Sequence, residues 1–134
     1  MATHAARLAR IFTAEYACRV NAQLVHPAAA QLVKPNELAS ALARPLHAAA
    51  YAPDSRAAYL AATLAYGIIQ GHPFLDGNKR TAFFLANEYL RAQGLPSLLD
   101  GITDNDGLVE VAERHIAVAA GRFGVDGLLR PSDA

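Results

Sequence analysis

Cysteine is almost absent from this chain: Cys18 is the only one. No internal disulfide can form, and a zinc site built on several cysteines is excluded. Cys18 itself is expected to be a buried, inert thiol, because free cysteine behaves as a small hydrophobe. Charge imbalance is absent as well. The 12 basic and 12 acidic residues cancel, which argues against the broad electrostatic footprint of a nucleic-acid binder. There is no apolar signal core at the N-terminus, where Arg7 and Arg10 interrupt early. The longest stretch without Asp, Glu, Lys, Arg or His, Ala57 to Gly71, is too short to span a bilayer of about 30 Å. Repeats, low-complexity tracts and charge runs are missing, so residues 1–134 are expected to form one domain. The expectation is a cytoplasmic protein without a membrane or nucleic-acid partner.

What the chain does contain is alanine, within a hydrophobic fraction of 53%. Alanine favours helix and lets helices pack closely, whereas strand formers are thinly spread. An all-α bundle is predicted. Thr13 can cap a helix running to about Val25, where His26-Pro27 ends it. Pro35 suits the first position of a second helix through Leu38 and Leu42, and Pro45 is expected to interrupt it. The segment from Leu46 to Pro53 reads either as more helix or as a connector with extended character.

Asp54 can cap a third helix from Ser55 to about Gly71 that carries no charge on any face after Arg56. A fourth, from about Asn78 to Gln93, is nearly as apolar through Phe83-Phe84-Leu85-Ala86 and is stopped by Gly94 and Pro96. Helices that are apolar all round are buried all round, so these two should form the centre of the domain. A fifth helix is predicted from Thr103 or Asp104 to about Ala120. A short helical turn near Val125 to Leu129 follows it.

The loop joining the two central helices breaks the trend around it. Within nine residues it holds His72, Asp76, Asn78, Lys79 and Arg80, with Gly71 and Gly77 to let the backbone turn. Lys79 and Arg80 fall in the first turn of the fourth helix, where the macrodipole disfavours cations by about 0.3–1 kcal/mol each. An external anion of high charge would reverse that penalty, since a helix N-terminus after a glycine cradles phosphate. Lys79 offers a point charge, and Arg80 a fork matched to phosphate oxygens. Asp76 adds a hard oxygen ligand of the kind magnesium takes when it also holds substrate phosphates. Asn78 can cap the helix, contact phosphate, or do both. His72 can accept a proton near neutral pH and act as general base for an attacking hydroxyl. Phe74 is expected to point inward and anchor the loop. Alternatively, each feature has a plain structural role, including an i,i+4 ion pair between Asp76 and Arg80 worth about 0.2–0.5 kcal/mol. A catalytically inactive nucleotide-binding or interaction domain, or a helical DNA-binding module, would be the corresponding functions. The co-occurrence of all these groups between an uncharged helix and a largely apolar one favours a site.

The run His72-Pro73-Phe74-Leu75-Asp76-Gly77-Asn78-Lys79-Arg80 resembles the signature of the Fic/Doc family, histidine-Pro-Phe-x-Asp/Glu-Gly-Asn-Gly/Lys-Arg, at every position. Weaker similarity to its death-on-curing (Doc) toxin branch extends through Ala41-Leu42-Ala43-Arg44-Pro45, Thr81-Ala82 and Leu90-Arg91-Ala92-Gln93-Gly94. The resemblance implies a compact helical bundle in which the motif loop joins two central buried helices. It implies that His72 deprotonates a target-protein hydroxyl, that Asp76 holds Mg2+, and that Gly77, Asn78, Lys79 and Arg80 surround the phosphates of ATP. The segment from about His47 to Pro53 would correspond to the family's target-aligning flap. Members that transfer AMP usually carry glycine in place of Lys79. Lysine resembles Doc, a kinase acting on translation elongation factor Tu, so phosphorylation is the first expectation and AMP transfer the alternative. The family's inhibitory motif, Ser/Thr-x-x-x-Glu-Gly/Asn, has no counterpart at Glu15, Glu37, Glu88, Glu110 or Glu113. A toxin restrained in trans by a separate antitoxin protein is what the resemblance then implies.

Overall fold

A computed structural model describes residues 4–52 and 57–92. Five α-helices account for most of them: α1 (His4–Ala9), α2 (Ala14–Val25), α3 (Pro35–Tyr51), α4 (Ala57–Gly71) and α5 (Asn78–Ala92). The architecture is all-α, and the described residues contain no strand beyond one isolated antiparallel bridge between Leu32 and Phe74. The predicted cap Asp54, the stop at Gly94 and Pro96, the fifth helix and the turn near Val125 lie outside the described residues.

Helix α2 starts as its local chemistry requires. Thr13 is extended, and its hydroxyl accepts a hydrogen bond of 3.2 Å from the Tyr16 N–H, satisfying one of the orphan donors of the first turn. Helix α1, which the sequence reading missed, is only six residues long. A helix of that length is unstable in isolation and depends on packing. Leu8 and the following Phe12 supply it, at 3% and 5% exposure. Cys18 is half-buried against the core and not fully enclosed, and burial pushes its thiol pKa up, which keeps it protonated.

Pro45 does not interrupt α3. The helix runs through it to Tyr51, so the segment after Pro45 is helical and not extended. A proline inside a helix forfeits one hydrogen bond and crowds the preceding turn, at about 3 kcal/mol. Tertiary packing offsets this: Pro45 is buried, and α3 lies so close to α4 that a Cβ on Gly67 would fall 2.9 Å from Ala41 Cα. The expected flap segment is therefore helical from His47 to Tyr51, and none of that stretch lines the cleft described below.

The central placement of α4 and α5 matches their composition. Leu60, Leu64, Ile68 and Ile69 of α4 meet the core together with Ala82, Leu85, Ala86 and Leu90 of α5. Each enclosed Leu or Ile contributes about 1.5–3 kcal/mol. Burial is not complete around either helix, since Tyr59, Gln70 and Phe84 reach solvent. No helix among the described residues is long and apolar enough to cross a membrane.

Candidate active site

The loop between α4 and α5 is held by contacts on three sides. At its start, the His72 N–H donates to the Ile68 carbonyl (3.0 Å), closing α4, and the His72 backbone lies in the left-handed region at φ +50°. Only glycine enters that region at no cost, although histidine is among the residues enriched there. The imidazole is exposed. Pro73 and Phe74 turn inward, and Phe74 is fully buried, as anticipated.

The chain before α3 lies alongside the loop. Val33 and Lys34 both donate backbone N–H to the Pro73 carbonyl (2.8 and 3.0 Å), and the Leu75 N–H donates to the Gln31 carbonyl (2.9 Å). These bonds satisfy loop backbone groups that α4 and α5 cannot reach. Asn78, 4% exposed, grips Phe74 from the other side. Its Oδ1 accepts from the Phe74 N–H (2.9 Å) and its Nδ2 donates to the Phe74 carbonyl (2.7 Å). Its side chain thus bonds neither a cap N–H of α5 nor open space; it fixes the loop.

Helix α2 forms the third support. Gly77 has φ +78°, and a Cβ there would lie 2.7 Å from Val25 Cγ1 and 3.0 Å from Asn21 Nδ2, so glycine is required on two independent grounds. Asn21 Nδ2 donates to the Asp76 carbonyl (2.8 Å) and to Thr81 Oγ1 (3.1 Å). Arg80 reaches back to α2, its Nη1 donating to the Leu24 carbonyl (2.8 Å), one of the C-terminal carbonyls left free by that helix. Its Nη2 stands 3.7 Å from Asp76 Oδ2. The structural ion pair foreseen from the sequence is therefore present. Both side chains are largely exposed, however, and such pairs contribute about 0.5 kcal/mol or less. An incoming phosphate can displace it at little cost.

His72, Asp76, Gly77, Asn78, Lys79 and Arg80 line one cleft of about 330 Å³, completed by Ile69 and Leu75. Phe74, fully buried, does not line it. The cleft thus joins an exposed imidazole, an exposed carboxylate and two exposed cations at the N-terminus of α5. Among the described residues no group of three or more His, Cys, Asp or Glu could cage a metal ion. A single carboxylate fits magnesium shared with substrate phosphates, because that ion keeps several waters and takes only one or two protein oxygens. Asp76 Oδ1 already accepts from the Gly77 N–H (2.8 Å) and Oδ2 faces Arg80, so such an ion would take Oδ2 as Arg80 turns away.

Asn21, the Leu24 carbonyl and the Gln31–Lys34 segment were not foreseen as parts of the site. Asn21 alone left a sequence signal: it occupies a position on the apolar stripe of α2, with Ala17, Val20 and Val25.

No curated protein matches the chain. The family model described as the Fic/DOC family matches residues 11–90, which span α2, α3, α4, most of α5 and every residue lining the cleft. With its motif seated between two buried helices, the chain belongs to the Fic/DOC family.

Proposed function

We propose that this protein is an ATP-dependent phosphotransferase acting on a hydroxyl of a target protein, and that it works as a Doc-like toxin. The single observation that carries the reading is the cleft itself, in which one imidazole, one carboxylate and the cationic N-terminus of α5 face a common space. Phosphoryl transfer requires little beyond positioning and charge neutralisation, and those groups can provide both.

In this reading the target hydroxyl approaches His72, and a ring nitrogen takes its proton as the oxygen attacks the γ-phosphorus. The bond from that phosphorus to the β–γ bridging oxygen breaks, and ADP leaves with the electron pair. Arg80 turns its guanidinium from Asp76 towards the phosphate oxygens, and Lys79 adds a second positive charge. The N–H groups of the first turn of α5 face the same anion. Magnesium, held through Asp76, would neutralise phosphate charge.

Lys79 supports γ-phosphate transfer over AMP transfer by resemblance to the Doc branch, and a long cation in place of a glycine hydrogen, which crowds and charges the anion pocket, is consistent with a changed nucleotide pose. The proposed target, by resemblance to the Doc branch, is translation elongation factor Tu, with a separate antitoxin protein restraining the toxin in trans. Incubation with α-labelled or γ-labelled ATP, magnesium and cell extract tests the chemistry. Label on a protein band from the γ position alone is expected. Label from the α position would replace the kinase reading with AMP transfer, and His72→Ala labelling as well as wild type would remove the assigned base. Growth arrest on expression, relieved by a co-expressed small protein that binds the chain, is the expected cellular outcome.

A further inference from the structure

One support of the loop is built in an unusual way. Asn21 is 1% exposed, and its amide crosses from α2 to a loop 55 residues downstream and to Thr81, 60 residues downstream. Nδ2 donates to the Asp76 carbonyl (2.8 Å), an atom that can only accept, so the orientation of the amide is fixed by its partner. Oδ1 is then left buried with no hydrogen-bond partner. An orphaned buried oxygen opposes stability, and an apolar side chain of the same size would carry no such penalty. What the asparagine gains in return is its grip on Asp76 and Thr81.

That grip bears on the metal ligand. The Asp76 side chain is 76% exposed; among the described residues it accepts a hydrogen bond from its neighbour Gly77 and pairs at 3.7 Å with Arg80. Its place is therefore set by its backbone. Asn78, Gln31 and Val33 hold the loop on the Pro73–Leu75 side. On the Asp76–Gly77 side the Thr81 N–H of α5 donates to the Gly77 carbonyl (2.8 Å), and the amide of Asn21 holds the Asp76 carbonyl from α2, where it also sits so that a Gly77 Cβ would come within 3.0 Å.

We propose that Asn21 is a positioning residue of the transfer site: by holding the Asp76 carbonyl and the Thr81 hydroxyl it fixes the Asp76 carboxylate where magnesium joins it to the nucleotide phosphates. This rests on the nucleotide reading given above. Residues that orient a metal ligand through hydrogen bonds typically matter about 10–100-fold for metal affinity.

Asn21→Leu removes both hydrogen bonds without opening a cavity, and Asn21→Ala is the second variant. Binding of ATP to the full chain is measured by calorimetry with and without magnesium, and amide hydrogen exchange is followed in the unliganded protein. Asn21→Leu is expected to keep its Tm within about 5 °C of wild type. Affinity for metal-free ATP should stay nearly constant, while the gain that magnesium adds should fall about tenfold. The Gly77 and Asn78 amides should exchange faster, with the α4 core unchanged. An undiminished magnesium effect, or faster exchange throughout α4 and α5, overturns the proposal. So does failure of both variants to fold, which would make Asn21 structural. A wild-type chain that binds no ATP brings down the nucleotide reading itself, whereas wild-type binding with an unaltered Asn21→Leu removes only the role of Asn21.

Discussion

His72 occupies a backbone conformation that its side chain does not favour. At φ +50° it terminates α4 in the left-handed region, where a residue with a Cβ loses roughly 1–2 kcal/mol. Helices commonly end on such a residue, and glycine is the one that fills it without strain. Strain of this kind persists where surrounding structure overdetermines it, and here the Pro73 and Phe74 contacts do so. His72→Gly should therefore raise stability to urea by about 1 kcal/mol while abolishing transfer to protein. Urea midpoints and γ-label incorporation measure the two effects, and a variant that is both less stable and active contradicts the assignment. The identity of the motif residues could be read directly because all nine are consecutive. The task of Asn78 could not, since its amide is spent on Phe74 only once the loop has closed on itself.

Elements whose signals are local were legible, and those decided by tertiary packing were not. The Thr13 cap, the break after Val25, the uncharged α4 and the apolar run within α5 follow from nearby residues, and α2, α4 and α5 appear where they indicate. The persistence of α3 past Pro45 does not, because it depends on α4 pressed against it. The α3–α4 crossing supplies its own test. Alanine in place of a helical glycine normally stabilises by about 1 kcal/mol. At Gly67 the new Cβ would meet Ala41 Cα, Ala41 Cβ and Arg44 Cδ, each at 2.9 Å. The Arg44 atom belongs to a flexible side chain, but Ala41 Cα is backbone and can move only with α3. Overpacking of this kind costs about 1–3 kcal/mol, so Gly67→Ala should lower stability despite its better helix propensity. A raised denaturation midpoint would show that the two helices are not as closely apposed as described.

Across the whole molecule, the candidate site depends on contacts between parts of the chain far apart in sequence. Asn21 and Leu24 reach it from α2, and Gln31 to Lys34 from the segment before α3. Apart from Asn21, a polar residue on the apolar stripe of α2, no local pattern announces such partners, which is why the supports were missed while the motif was not. The N-terminal helices are in turn joined to the central pair through aromatic rings. Phe12 stands 5.6 Å from Tyr16, edge to face, and 5.3 Å from Tyr89 of α5. Burial pushes the Tyr89 hydroxyl up from about 10 to about 12, and Tyr16 is raised by burial and then by the nearby Glu88. Both groups hold their protons more tightly folded than unfolded. In alkali the unfolded chain loses them first and is favoured by it. The stability contributed is complete below pH about 10 and declines as pH rises towards 12. Denaturant midpoints taken from pH 8 upwards should therefore fall above about pH 10, and Tyr89→Phe should reduce that fall. An alkaline decline of equal depth in the variant would place the titrating group elsewhere.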